Sequence, residues 1–180
     1  MAQDSIQSTI AQAEKAFRDG KFSTAADFFQ QAEQAFKQVG DQLKAAEMAN
    51  NRSVTLLQAG ENQAALEAAE GTDAIFAQAG DTRRWALSLG NQAAALEALN
   101  RLDEALAQYQ QCSLLLKQIG DTEDRAVVLK SISALQIRMG RQLEALASMD
   151  TALDQKKKLG VQERFLKKLL DVPMRMLRRG

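Results

Sequence analysis

Residues 101–121, RLDEALAQYQQCSLLLKQIGD, carry the pattern that decides the fold. Apolar side chains recur in this stretch at intervals of three and four residues from Leu102 and Leu106 onward, which is the spacing of one helix face. Gly120 ends the helix, because glycine readily adopts the left-handed backbone of a helix terminus, and Asp121 provides a side chain that caps the next helix. The stretch therefore predicts an amphipathic helix of about 17 residues and the start of another.

Glycine stands at almost every twentieth residue of the 180-residue chain. Asn100 occupies the one such position without glycine, and asparagine also tolerates positive φ. Two further glycines, Gly71 and Gly90, fall inside predicted helices, where we expect them to allow close approach between helix backbones. The regularly spaced glycines are Gly20, Gly40, Gly60, Gly80, Gly120, Gly140, Gly160 and Gly180.

These stops predict four forty-residue repeats, each with a helix A, a short turn and a helix B. Such short turns make neighbouring helices antiparallel, so we expect an all-α fold of about nine helices. A basic capping helix is predicted over 161–180, with a break or kink near Val172 because proline at position 173 disfavours helical backbone in the residue before it. The four repeats span 1–40, 41–80, 81–120 and 121–160.

The composition excludes several classes of function. The chain has 23 basic and 23 acidic residues and no histidine, which removes Ser-His-Asp triads and histidine metal sites. Cys112 is the single cysteine, so no disulfide forms within the chain and a reducing, cytoplasmic compartment is predicted. No stretch is apolar enough for a membrane span. We expect a chain without catalytic residues, cofactor or metal.

Small residues recur at fixed places in the repeats, and repeat three, WALSLGNQAAALEALNRLDEALAQYQQC (85–112), shows them best. Ala93 and Ala105 take the small positions, Tyr109 the large one and Cys112 a further small one, a pattern that resembles the tetratricopeptide repeat. The period is forty rather than about thirty-four residues, as in the longer-helix branch of the family found in kinesin light chains. The resemblance implies a right-handed α-solenoid whose A helices form a concave binding wall. The equivalent small residues elsewhere are Ala13, Ser53 and Ser133 in helix A, and Ala25, Ala65, Ala145, Ala32, Thr72 and Ala152 in helix B.

The resemblance also implies which side chains line that wall. Asn51 and Asn91 match a position where co-chaperone members of the family hydrogen-bond an extended peptide, and an amide side chain can both donate and accept. Alternatively, these asparagines satisfy buried backbone groups between helices. The basic residues of the family's carboxylate clamp are missing, which disfavours capture of an acidic chaperone tail. The predicted groove residues are Glu47, Asn50, Asn51, Val54, Leu87, Asn91, Ala94, Val127, Lys130 and Ser131.

Basic residues gather at the C-terminal end, where 156–180 holds nine basic and two acidic side chains. One interpretation is that this segment is a helix that caps the end of the solenoid, with one apolar face packed on repeat four and the other face solvated. The others are attachment to an anionic partner (RNA, lipid or an acidic protein) and self-association with the acidic body of a second molecule. Nucleic acid is disfavoured, because the cluster lacks the stacking aromatics typical of such sites. The predicted patch comprises Lys156, Lys157, Lys158, Arg164, Lys167 and Lys168.

The leading functional hypothesis is a non-catalytic protein–protein interaction scaffold that holds a peptide or helix of a partner in the groove. A regulatory module that senses a small peptide or ligand is the alternative on the same fold. Neither the partner nor the preferred peptide is encoded in any motif of the chain.

Overall fold

A computed structural model describes residues 2–156 and 158–177, and within these ranges the chain is helical with no β-strand. The predicted all-α class is confirmed over the described residues. The helices are α1 (Ala2–Arg18), α2 (Phe22–Gln38), α3 (Gln42–Gln58), α4 (Asn62–Ala69), α5 (Thr72–Gln78), α6 (Thr82–Ala98), α7 (Leu102–Gln118), α8 (Thr122–Arg138), α9 (Gln142–Gln155) and α10 (Val161–Leu177).

The chain divides into two compact units, the first ending at Ala105 and the second beginning at Leu106. In the first unit, α2 packs on both α1 and α3, and α3 packs on α4, α5 and α6. In the second unit, α9 packs on α8 and on α10.

The turn after α2 shows how the predicted helix stops are built. Gly40 has a φ of +79°, and its N–H donates to the carbonyl of Lys37 at 3.2 Å while Asp41 N–H donates to Phe36 at 2.9 Å. This pair of bonds is the Schellman motif, which satisfies carbonyls that the helix end would leave unpaired. Asp41 Oδ1 then accepts from Lys44 N–H at 3.0 Å and caps α3. Positive φ recurs at Gly20, Gly60, Gly80, Asn100, Gly120 and Gly140, and side-chain caps recur at Asp81 and Asp121.

The recurring small residues lie in the interior of both units. All twelve predicted small positions are buried, which confirms their assignment to the interior. In the first unit, Ala13 lies in a core cluster with Phe29, Phe36 and Met48. Protein interiors are close-packed, so a larger side chain at such a buried position causes strain.

In the second unit the small residues also make a polar contact between helices. Ser133 Oγ on α8 donates to the carbonyl of Ala145 on α9 at 2.7 Å. Cys112 is buried, with 1% of its surface exposed, which supports a packing role for this small side chain.

Helix B of the second repeat differs from the prediction. The segment is interrupted, because α4 ends at Ala69 and α5 begins at Thr72. Gly71 has a φ of +76°, and a Cβ built on it would meet no atom within 4 Å. Close helix approach at Gly71 is therefore the wrong explanation; the residue is glycine because the break requires left-handed backbone.

The C-terminal region also differs at two points. Helix α9 ends at Gln155, followed by extended backbone at Lys156, so Gly160 is not the stop of this helix and lacks positive φ. Its N–H instead donates to Glu163 Oε2 at 3.1 Å and helps to begin α10. Helix α10 then continues through Pro173 to Leu177, so the predicted break near Val172 is absent. A proline removes one N–H donor from the helix, and the following residues resume the helical backbone.

Candidate functional site

Five of the predicted groove residues line one cavity of about 190 Å³ in the first unit. They come together because residues three and four apart share a face of a helix, and α3 and α6 present these faces to the same space. Phe76, Arg83 and Arg84 complete the lining. The five predicted residues are Glu47, Asn50 and Asn51 from α3, and Leu87 and Asn91 from α6.

The arginines of this cavity are not among the predicted groove residues. Arg83 and Arg84 lie one turn before Leu87 on α6 and so border the same space. Their spacing of three and four residues from Leu87 is the sequence signal that could have found them.

Arg84 is held by several neighbours. Its Nη1 lies 3.8 Å from Glu47 Oε2 and its Nε lies 3.5 Å from Asp81 Oδ2. The guanidinium also lies 5.9 Å from the centre of the Phe76 ring, within the range of a cation–π contact. The cavity therefore contains a cation with a fixed position and partly compensated charge.

The two neighbouring asparagines of α3 play different parts. Asn50 is buried, and its Oδ1 accepts from the Thr72 hydroxyl on α5 at 3.1 Å. This bond fits the structural interpretation for Asn50, because a buried amide needs a partner. Asn51 is exposed and Asn91 is half-buried, so their amides are open to a ligand.

Asn51 also borders a second and larger cavity in the same unit. This cavity has a volume of about 310 Å³, close to the lower end of the range for small-molecule and peptide-side-chain pockets. Phe17 and Phe29 contribute aromatic rings to its wall, and Glu14 lies 3.9 Å from Arg18 at its edge. The remaining lining residues are Val54 and Thr55, of which Val54 belongs to the predicted groove.

The other predicted groove residues do not border these cavities. Ala94 is half-buried on α6. In the second unit, Val127 is 63% exposed on α8, Ser131 is half-buried, and Lys130 Nζ lies 3.0 Å from Glu163 Oε1 on α10. Lys130 is therefore occupied by an ion pair within its own unit.

Two members of the predicted basic patch are also paired. Lys156 Nζ donates to Glu163 Oε1 at 2.7 Å, and Lys167 Nζ lies 2.8 Å from Asp154 while also bonding Asp150. The other described members, Lys158, Arg164 and Lys168, are exposed, and Lys157 lies outside the described residues.

These ion pairs shift the pKa values of Glu163 and Lys167. The bonds from Lys156 and Lys130, with the N–H of Gly160, lower the pKa of Glu163 to about 2. Burial lowers the pKa of Lys167, but its hydrogen bonds to Asp150 and Asp154 outweigh this effect and raise it overall. Both α10 charges therefore persist over the whole range near neutral pH.

In the ranges that the structure describes, no helix has the length and apolar character needed to cross a membrane. Among the same residues, no three acidic or cysteine side chains are grouped so that they could hold a metal ion. No protein-family model matches the chain, and comparison with curated proteins gives no match.

Proposed function

We propose that this chain is a non-catalytic interaction scaffold that binds an extended peptide or a helix of a partner protein. The single observation that carries this proposal is the convergence of five predicted groove residues on one cavity, with Asn51 shared by a second cavity. Two cavities that share a polar side chain suit an extended peptide. The polar side chain can bind one peptide unit, and each cavity can hold a side chain next to that unit.

At the level of the fold, we propose a right-handed α-solenoid of antiparallel helix pairs in the long-helix branch of the tetratricopeptide family. The recurring Schellman turns and the buried small residues support this assignment, since each repeat then presents the same faces to its neighbours. The single cysteine, Cys112, forms no disulfide within the chain and is buried, which supports a reducing, cytoplasmic location.

In this proposal Asn51 binds the peptide backbone. Its amide can donate to a peptide carbonyl and accept from a peptide N–H, so it recognises the chain without reading its side chains. The larger cavity, with Phe17 and Phe29, takes an apolar side chain. The smaller cavity takes a polar group beside Arg83 and Arg84. A rigid helical wall loses little conformational entropy on binding, which favours affinity from modest contacts.

The proposal is tested with peptides selected against the protein from a random library. We expect Asn51→Ala combined with Asn91→Ala to weaken binding of the selected peptides about tenfold or more, measured by calorimetry. The matched control is Gln31→Ala combined with Gln34→Ala, two exposed amides of α2, which should leave affinity unchanged.

Side-chain amide spectra give a second readout that does not depend on the variants. Bound peptide should shift the Asn51 and Asn91 amide resonances. Peptides that bind with equal affinity to the asparagine variant, or that shift resonances on α4 alone, would contradict the proposed site.

A further inference from the structure

Helix α10 is attached to its unit by one face. Leu170 is buried and Leu166 is half-buried on this face. Lys167 bonds Asp150 and Asp154 on α9, and Glu163 bonds Lys130 on α8. Apolar packing and two charged contacts on α10 thus fix which face is turned outward.

The outward face carries an apolar stripe. Val161, Phe165 and Leu169 follow one another at intervals of four residues and are 76%, 65% and 56% exposed. Residues four apart lie one above the other on a helix, so the three side chains form a continuous strip, here called the α10 stripe. Three large apolar side chains in a row are the kind of exposed patch that marks an interaction site.

The repeat pattern shows that one position of this strip, Leu169, is buried in the earlier repeats. The residues that stand forty, eighty and one hundred and twenty positions before Leu169 are Leu129, Leu89 and Ala49, all of which are buried. Their relative exposures are 7%, 2% and 6%. Leu169 thus stands at a position that is buried in the earlier repeats, whereas Leu169 itself is 56% exposed.

The charged side chains beside the α10 stripe indicate which kind of partner would bind to it. Lys158, Arg164 and Lys168 are exposed, and Arg164 and Lys168 directly precede Phe165 and Leu169, so they lie along one side of the stripe. Of the two acidic side chains of α10, Glu163 is already bonded to two lysines, and Asp171 is exposed beyond Leu169. A basic edge beside an apolar strip is complementary to a helix with acidic residues beside its apolar face.

We propose that the α10 stripe is a docking surface for an acidic amphipathic helix of a partner protein, separate from the groove around Asn51. Apolar side chains of the partner cover Phe165 and Leu169, while its carboxylates meet Arg164 and Lys168. A second copy of α10 is a poor occupant, because it would bring the same positive charges to the contact.

Two synthetic helical peptides of about 20 residues test the proposal, because helices of that length are stable enough to be compared in water. Both carry the same leucine stripe, flanked in one by glutamate and in the other by lysine. We expect the glutamate peptide to bind the full chain at least about tenfold more tightly by fluorescence anisotropy, and added salt to reduce the difference.

Variants then locate the contact. Phe165→Ser with Leu169→Ser should weaken binding of the glutamate peptide about tenfold or more. Arg164→Glu with Lys168→Glu should reverse the preference between the peptides. The matched control, Leu114→Ser with Ile137→Ser, removes two equally exposed apolar side chains from α7 and α8 and should retain full affinity. Circular dichroism confirms that each variant is folded.

The outcomes separate this surface from the groove and from other occupants. The double variant Asn51→Ala with Asn91→Ala should bind the glutamate peptide with the affinity of the parent, even if it binds groove peptides with a different affinity. Equal affinity for the two peptides, or binding of neither, overturns the proposal. Self-association in sedimentation that disappears in Phe165→Ser with Leu169→Ser assigns the stripe to a second copy instead. Adsorption to phosphatidylserine vesicles without binding of the glutamate peptide assigns it to a membrane surface.

Discussion

Gln92 Nε2 on α6 donates a hydrogen bond to the carbonyl oxygen of Ala69, 3.1 Å away, at the last residue of α4. The interruption at Gly71 leaves this carbonyl without its helical donor, and the Thr72 hydroxyl bonds the same oxygen at 2.7 Å. Gln92 also donates to Asp73 Oδ1 at 2.9 Å, so one buried amide joins both sides of the break to the neighbouring helix. The polar groups at the break between α4 and α5 are therefore hydrogen-bonded.

Replacing Gln92 by leucine should destabilise the protein by about 1–3 kcal/mol, because buried polar groups on both sides of the break lose a partner. The measurement is the free energy of unfolding from urea titration followed by circular dichroism. Gln110→Leu, on an exposed face of α7, should change it by less than about 0.5 kcal/mol. Similar effects of the two substitutions would show that the Gln92 bonds contribute nothing specific.

Gly71→Ala should lower stability by about 1–2 kcal/mol, since alanine is strained at a φ of +76°. Gly71→Asn should cost less, because asparagine tolerates left-handed backbone. The sign of the change in stability for Gly71→Ala distinguishes a broken helix from an uninterrupted one. In an uninterrupted helix Gly71→Ala would raise stability by about 0.5–1 kcal/mol. An increase in the urea midpoint would therefore exclude the break between α4 and α5.

Ala13→Leu should destabilise the first unit by about 1–3 kcal/mol, because Ala13 is fully buried in the core cluster with Phe29 and Met48. Ala11→Leu places the same side chain on the exposed face of the same helix and serves as the matched control. In thermal unfolding, the midpoint of Ala13→Leu should be clearly lower than that of the parent, and the midpoint of Ala11→Leu should be close to it.

The pKa of Glu163, about 2 in the folded chain, predicts how the attachment of α10 depends on pH. Because folding lowers this pKa from its ordinary value of 4.5, the carboxylate stabilises the folded chain fully above pH 4.5. That contribution is lost as pH falls through about 2. Glu163→Gln should remove this part of the acid dependence of unfolding.

Carbon-detected NMR titration of the Glu163 carboxyl provides the direct check. The resonance should titrate near pH 2 in the parent. Replacing Lys156 and Lys130 by methionine should move the titration upward, because both lysines favour the ionised form. A midpoint near 4.5 in the parent would show that the ion pairs with Glu163 do not form in solution.

The features predicted correctly from the sequence are those set by local chemistry. Left-handed backbone at Gly40 and Asn100 and side-chain capping by Asp121 depend on the residue itself and on neighbours within one turn. Burial of Ala13 and Ala93 follows from their phase in the helical repeat. Such features need no knowledge of distant parts of the chain.

The predictions that were wrong depended on contacts distant in sequence or on competing local effects. Gly71 was assigned to helix packing because its position did not match the regular stops, although its backbone alone explains it. The early end of α9 accompanies the bond between Lys156 and Glu163, which the glycine spacing does not encode. At the candidate site, the family resemblance implied that Asn51 and Asn91 lie on one wall, while the position of Arg84 depends on contacts with Glu47 and Phe76.

The turns built around glycines such as Gly40 and Gly120 make this architecture tolerant of some changes in length and intolerant of others. One extra residue inside a helix would rotate everything beyond it by about 100° and carry each alanine of the interior toward solvent. Duplication or deletion of a whole forty-residue repeat preserves the rotational phase of every flanking segment. Lineages that carry such a chain would be expected to differ by complete repeats, and an engineer who lengthens the chain should splice at the glycines.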